Sequence, residues 1–152
     1  MFCTRKVNDD YTWVGADGRR LAMFEGVYDV PRGVSFNSYL LMDGKTVLFD
    51  TADASVCRSF LENVAHGLNG RALDYLVVQH MEPDHSANIV NFIAAYPNVK
   101  VVGNAKTFAM IADFFDITIP EGNKVAVANG ESLSLGAHQL TFVFAPMVHW
   151  PE

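Results

Sequence analysis

The sequence predicts a mixed α/β (α+β) domain, with sheets that combine both strand orientations and helices packed outside them. Three observations carry that expectation. Half of the 152 residues are hydrophobic and 18% are charged, which is enough for a core and too apolar for a disordered chain. The periodic segments run in the order hairpins, then helix–strand–helix–strand–helix, then hairpins again. Neither G-x-G-x-x-G nor G-x-x-x-x-G-K-[ST] occurs, so a doubly wound nucleotide-binding sheet has no phosphate loop to support it.

The elements follow from local chemistry. YTWVG (11–15) and LAMFEG (21–26) flank Asp17-Gly18, a hairpin turn signal, and SFNSYLLMD (35–43) and KTVLFD (45–50) flank Asp43-Gly44. ASVCRSFLENVAH (54–66) has apolar residues at helical spacing and is expected to stop at Gly67. ALDYLVVQ (72–79) is dense in apolar and β-branched residues and reads as an interior strand. SANIVNFIAAYP (86–97) reads as a helix with Ser86 as its N-cap, ending before Pro97. VKVVGN (99–104) is a strand and AKTFAMIADFF (105–115) a helix. Asn129-Gly130 is expected to turn a hairpin between KVAVA (124–128) and ESLSL (131–135), and HQLTFVFAP (138–146) to form a last strand.

Composition also excludes partners. A net charge of −6 without a Lys/Arg cluster argues against nucleic acid and anionic membrane surfaces. No apolar run is long enough to span a bilayer, and the first residues, MFCTRKVNDDYTW, hold no apolar signal core, so a cytoplasmic location is expected. Cys3 and Cys57 lack C-x-x-C spacing and read as two ordinary thiols.

The densest chemistry is VVQHMEPDHSANIV (77–90), where His80, Glu82, Asp84 and His85 fall within six positions after a buried-looking strand. The strand delivers residue 80 at its carboxyl end, where open sheets place ligands. Pro83 drives Glu82 towards an extended conformation, and side chains two apart in an extended segment share a side. His80 and Glu82 can therefore converge, while Asp84 and His85 face another way from the start of the next helix. Two differently aimed pairs suit two adjacent metal ions. Imidazole and carboxylate donors suit iron, zinc or manganese, and the absence of thiolate disfavours iron–sulfur and structural zinc sites. The carboxylate of Glu82 adds charge and a hard oxygen that favour a trivalent redox metal. His149, at the end of the apolar run TFVFAPMV, can approach the same centre. Without a metal these would be solvated loop residues with Asp84 as a helix cap, and His85 could equally orient a ligand from outside. His66, in a last helical turn, and His138, at a strand start, read as structural and surface residues.

His80-x-Glu82-x-Asp84-His85 resembles the H-x-H-x-D-H motif of the metallo-β-lactamase fold, with Glu in place of the second His. That variant is similar to the flavodiiron proteins (A-type flavoproteins, including flavorubredoxins). The likeness extends through Trp13-Val14-Gly15, PRGVSFNSYLLMDGKTVLFDT (31–51), DYLVVQHMEPDHS (74–86) and the closing HWPE (149–152). It implies that residues 1–152 are the N-terminal part of a metallo-β-lactamase-like αββα sandwich, incomplete at its C-terminus, with a non-haem di-iron site. It further implies a flavodoxin-like FMN domain, absent from this chain, and reduction of O₂ to water or of NO to N₂O with electrons from the flavin. On this resemblance His80, Glu82 and His149 bind one iron, Asp84 and in some members His85 bind the second, and Trp150 sits beside the pocket. The family's bridging Asp and final His fall beyond residue 152, so the chain is expected to be a fragment. Rubredoxin or a flavin reductase as electron donor, and a head-to-tail homo-oligomer when full length, are implied in the same way. The alternatives are a zinc-dependent hydrolase on the same fold, which Glu82 in place of His opposes, and an inactive truncated metal-binding domain.

Overall fold

The computed structural model describes residues 2–152; residue 1, which opens the segment read for a signal core, lies outside them. The strands are β1 (Arg5–Lys6), β2 (Tyr11–Trp13), β3 (Ala16–Gly18), β4 (Met23–Phe24), β5 (Tyr28–Asp29), β6 (Val34–Phe36), β7 (Tyr39–Met42), β8 (Thr46–Phe49), β9 (Tyr75–Val77), β10 (Lys100–Gly103), β11 (Lys124–Ala126), β12 (Ser132–Ser134) and β13 (Gln139–Thr141). The helices are α1 (Cys57–Leu68), α2 (Pro83–Ser86), α3 (Ile89–Ala95) and α4 (Ala105–Phe115).

Seven strands form one mixed sheet in the order β1-β2-β7-β8-β9-β10-β11. The first four pair antiparallel, and β8 to β11 run parallel. Because β8, β9, β10 and β11 are spatially consecutive, every crossover moves in the same direction. Right-handed crossovers then place α1, α2–α3 and α4 on one face. That is the reason the sheet is not doubly wound.

Register assigns the side chains. Leu40, Leu48, Leu76 and Val101 lie in one row across the sheet and bury against Phe60 and Val64 of α1, Ile89 and Phe92 of α3, and Phe108 and Ile111 of α4. The neighbouring rows, with Leu41, Val47, Val77 and Val102, face the opposite way and pack with Leu133, Leu135 and Leu140 of the β12–β13 hairpin. Both faces are thus covered, which explains why these strands read as continuous apolar runs. Helix α1 buries Phe60, Val64 and Leu68 at four-residue spacing. Helix α4 begins on Asn104, whose side chain accepts from Thr107 N at 2.9 Å, and covers the span expected for it.

Several expectations are corrected. Asp17-Gly18 turns no hairpin: β3 pairs with β6, and Gly18 lies under the Phe36 ring, where a Cβ would meet Cε2 at 2.8 Å. The nearby turn is at Glu25-Gly26, between β4 and β5, where both residues have positive φ (52° and 73°), as that tight turn requires. Asn129-Gly130 does turn the chain, but its flanks part: β11 joins β10 in parallel, while β12 pairs with β13. Helix α1 runs through Gly67 to Leu68, and Asn69, at φ 48°, caps it. The helix expected over 86–97 is confined to α3, at 89–95, and Ser86 closes α2 and does not cap α3. Its hydroxyl donates to Met81 O at 2.7 Å. The last strand is confined to 139–141. Both cysteines are free. Among the described residues, no helix is long and apolar enough to cross a membrane.

Candidate metal centre

The predicted cluster sits at the carboxyl ends of β8 and β9. Glu82 has φ −57° and ψ 142°, the extended conformation Pro83 demands of its neighbour, and Pro83 opens α2. His80 and Glu82 therefore project together. His80 Nε2 lies 3.0 Å from Glu82 Oε2, and His149 Nε2 lies 2.9 Å from each of them. His149 reaches this position from 69 residues away with φ 70°, beside Met147 at φ 63°. Two non-glycine residues in the left-handed region are uncommon and concentrate where structure serves a site.

This triangle fits a cation. Ligand atoms bonded at about 2.0–2.1 Å and set on adjacent octahedral positions lie about 2.9 Å apart. Two imidazole nitrogens and a carboxylate oxygen are also the donor types that suit iron, zinc or manganese. Glu82 and Asp84 meet Glu25, from the β4–β5 turn, in a second group whose donor atoms lie within 4.8 Å of one another. Buried Asp84 Oδ1 has no hydrogen-bond partner, an orphan that a cation could satisfy.

The second predicted pair is present as well. His85 Nε2 lies 3.5 Å from Asp84 Oδ2, and His85 Nδ1 lies 3.3 Å from Asp50 Oδ2, off the line of a hydrogen bond. The Asp50 carboxylate raises the His85 pKa above its ordinary value against the opposing effect of burial. Burial raises the Asp84 carboxyl, with His85 opposing it. Burial would raise Glu82 too, but hydrogen bonding to His149 and His80 outweighs it and lowers the value. Glu25, sharing a hydrogen bond with Glu82, is raised.

Three contributors escaped the sequence reading. Asp50, 5% exposed and at φ 56°, accepts from Gln79 N at 2.6 Å and from His80 N at 3.3 Å, fixing the loop that carries His80. A lone Asp closing the apolar strand KTVLFD was its available signal. Glu25 gave no signal, since its approach depends on the β4–β5 turn. Glu152 Oε1 lies 2.7 Å from His80 Nδ1 and accepts from Met81 N at 2.7 Å. Trp150 meets the His80 ring edge-on at 5.6 Å and the Phe114 ring at 5.9 Å. A cleft of about 580 Å³ opens beside His80 and His149, walled in part by Phe49, Val127 and Phe142. Away from the centre, His66 stacks on Phe2 at 4.3 Å. His138 is less free than expected, with Nδ1 3.0 Å from Asp43 Oδ2.

A sheet with helices on one face, a second β layer on the other and its histidines and carboxylates at the strand ends has the architecture of a β-lactamase-like domain. The chain belongs to the family described as the ODP family beta lactamase, which matches residues 34–152. It is 34% identical over 96% of its length to the anaerobic nitric oxide reductase flavorubredoxin of Enterobacter sp. (strain 638), and 33% identical over 98% to that of Vibrio vulnificus. It spans about 30% of the length of each. Rubredoxin oxygen:oxidoreductase from Desulfovibrio gigas superposes with a TM-score of 0.90 at 32% identity, covering 98% of this chain and 37% of that one. The flavodiiron protein of Giardia intestinalis shares the fold, with a TM-score of 0.90 at 22% identity over 99% of this chain and 36% of that one.

Proposed function

We propose that this chain forms the iron-binding part of a flavodiiron oxidoreductase that reduces NO or O₂. The observation that carries the proposal is the convergence of His80 Nε2, Glu82 Oε2 and His149 Nε2 within 2.9–3.0 Å of one another. His80, Glu82 and His149 would hold one iron, and Asp84 and His85 would contribute to a second. When bound, the pair would supply the electrons and open positions for reduction of a diatomic substrate. The chain's own groups prepare that site. Asp50 holds the His80 loop by its backbone, Trp150, itself packed on Phe114, meets the His80 ring edge-on, and Glu25 brings a third carboxylate to Glu82 and Asp84.

The relatives support this reading by name, as nitric oxide reductases and as a rubredoxin oxygen:oxidoreductase. Their greater length leaves room for a flavodoxin-like FMN domain in the whole protein. Rubredoxin or a flavin reductase as electron donor, a homo-oligomer and a cytoplasmic setting belong to the same proposal. Anaerobic reconstitution of the full chain tests it: iron should be retained after desalting, and the iron-loaded protein with a chemical reductant should consume NO or O₂. Retention of zinc with exclusion of iron would favour a hydrolase and defeat the proposal.

A further inference from the structure

We infer that Glu152 is a positioning residue that anchors the His80 ring through Nδ1 and joins the His149 segment to the His80 loop; this rests on the metal-binding reading above. A neutral imidazole carries one N–H. Glu152 Oε1 lies 2.7 Å from Nδ1 and Glu82 Oε2 lies 3.0 Å from Nε2, so each ring nitrogen faces a carboxylate; when a cation takes the Nε2 lone pair, the one N–H is on Nδ1 and donates to Glu152. Without Glu152, the Nδ1–H loses its acceptor and Glu82 alone holds the ring, through a proton on Nε2, the atom the cation needs. The same oxygen accepts from Met81 N at 2.7 Å, so one carboxylate holds both the ring and the backbone of the loop. Glu152 lies two residues beyond Trp150, which meets that ring edge-on.

The burial of this group points the same way. The Glu152 side chain is 2% exposed, and its Oε2 has no partner. A carboxylate buried with only two neutral donors is poorly compensated. It is better compensated when the imidazole it holds also binds a cation, since the ring N–H then becomes a stronger, more positive donor. Carboxylate–histidine–metal arrangements work in this way. A residue serving only as a latch for the 147–152 segment would need the Met81 contact but not the one to Nδ1.

The experiment uses the full chain with His side chains labelled by ¹⁵N, at mildly alkaline pH, and Co(II) as a spectroscopic probe of the donors. Metal-free wild type gives the reference His80 signal, with Glu152 facing Nδ1 and Glu82 facing Nε2. Glu152→Ala should shift that signal towards the Nε2-protonated form and weaken Co(II) binding about 10- to 100-fold, with an unchanged circular dichroism spectrum. Glu152→Gln keeps an acceptor oxygen but not the charge. It should preserve the tautomer while weakening Co(II) binding less than the alanine variant does. Glu152→Ala with an unaltered His80 signal and unaltered Co(II) affinity overturns the inference. If wild type fails to bind Co(II) yet its tautomer switches in Glu152→Ala, the positioning role stands and the metal-binding reading falls.

Discussion

At the scale of single residues, the centre depends on groups whose work is electrostatic and not steric. Glu82 belongs to neither apolar core, and its contacts are with His80, His149 and Glu25. Glu82→Ala should therefore cost about 10- to 100-fold in iron affinity while the far-ultraviolet spectrum and urea midpoint stay near wild type. His66→Ala, at the remote end of α1, is the matched control and should leave iron content unchanged. Equal iron stoichiometry in Glu82→Ala and wild type would remove Glu82 from the donor set. The legibility of the site divides along the same line. His80, Glu82, Asp84 and His85 announce themselves because Pro83 and a strand end act within six residues. Asp50 acts on a loop some thirty residues away and from a left-handed backbone, so its place at a strand end does not by itself announce that contact.

At the scale of elements, the turn between β7 and β8 is the dock for the second β layer. Asp43 Oδ1 accepts from Gly44 N and Ala137 N, and Oδ2 accepts from His138 N at 2.6 Å and lies 3.0 Å from His138 Nδ1. The His138 and Gly44 backbone hydrogen bonds, mainly, hold this carboxyl well below its ordinary range. A depressed carboxylate stabilises the fold fully above its unfolded value of about 3.9. That contribution fades as the pH falls through the lower native value. Asp43→Asn should thus lower the urea midpoint by a constant amount from neutral pH down to about 4, and the gap should close at more acidic pH. A gap independent of pH throughout would mean that the charge is irrelevant to docking. The Asp43-Gly44 hairpin was legible because its strands are adjacent partners. Asn129-Gly130 looked identical in kind and misled, because β11 finds its partner in β10, across α4, and not across the turn.

At the scale of the molecule, two apolar layers sandwich the mixed sheet, and the helix-side layer is centred on Phe60 and Phe92, both fully buried with ring centroids 5.0 Å apart. Phe60→Ala should cost about 3–5 kcal/mol by chemical denaturation. A loss under about 1 kcal/mol, the scale of a volume-conserving swap, would show that α1 repacks. One outer edge of the sheet, β1, presents Arg5 and Lys6, charges that discourage pairing with another sheet. The helix-and-strand alternation predicted this architecture, whereas the face on which β12 and β13 settle came from register, which a single sequence does not display.

The separation of the donors also orders events in time. His80 and Glu82 leave the ribosome together, but His149 follows 69 residues later and reaches them only from its own left-handed turn. On the proposed metal-binding reading, until that segment is synthesised and seated the first iron's position has only two of its three donors, His80 and Glu82. Loading of that position would thereby wait until the surrounding protein can enforce the geometry, so metal selection would fall to the folded chain and not to the first ion encountered.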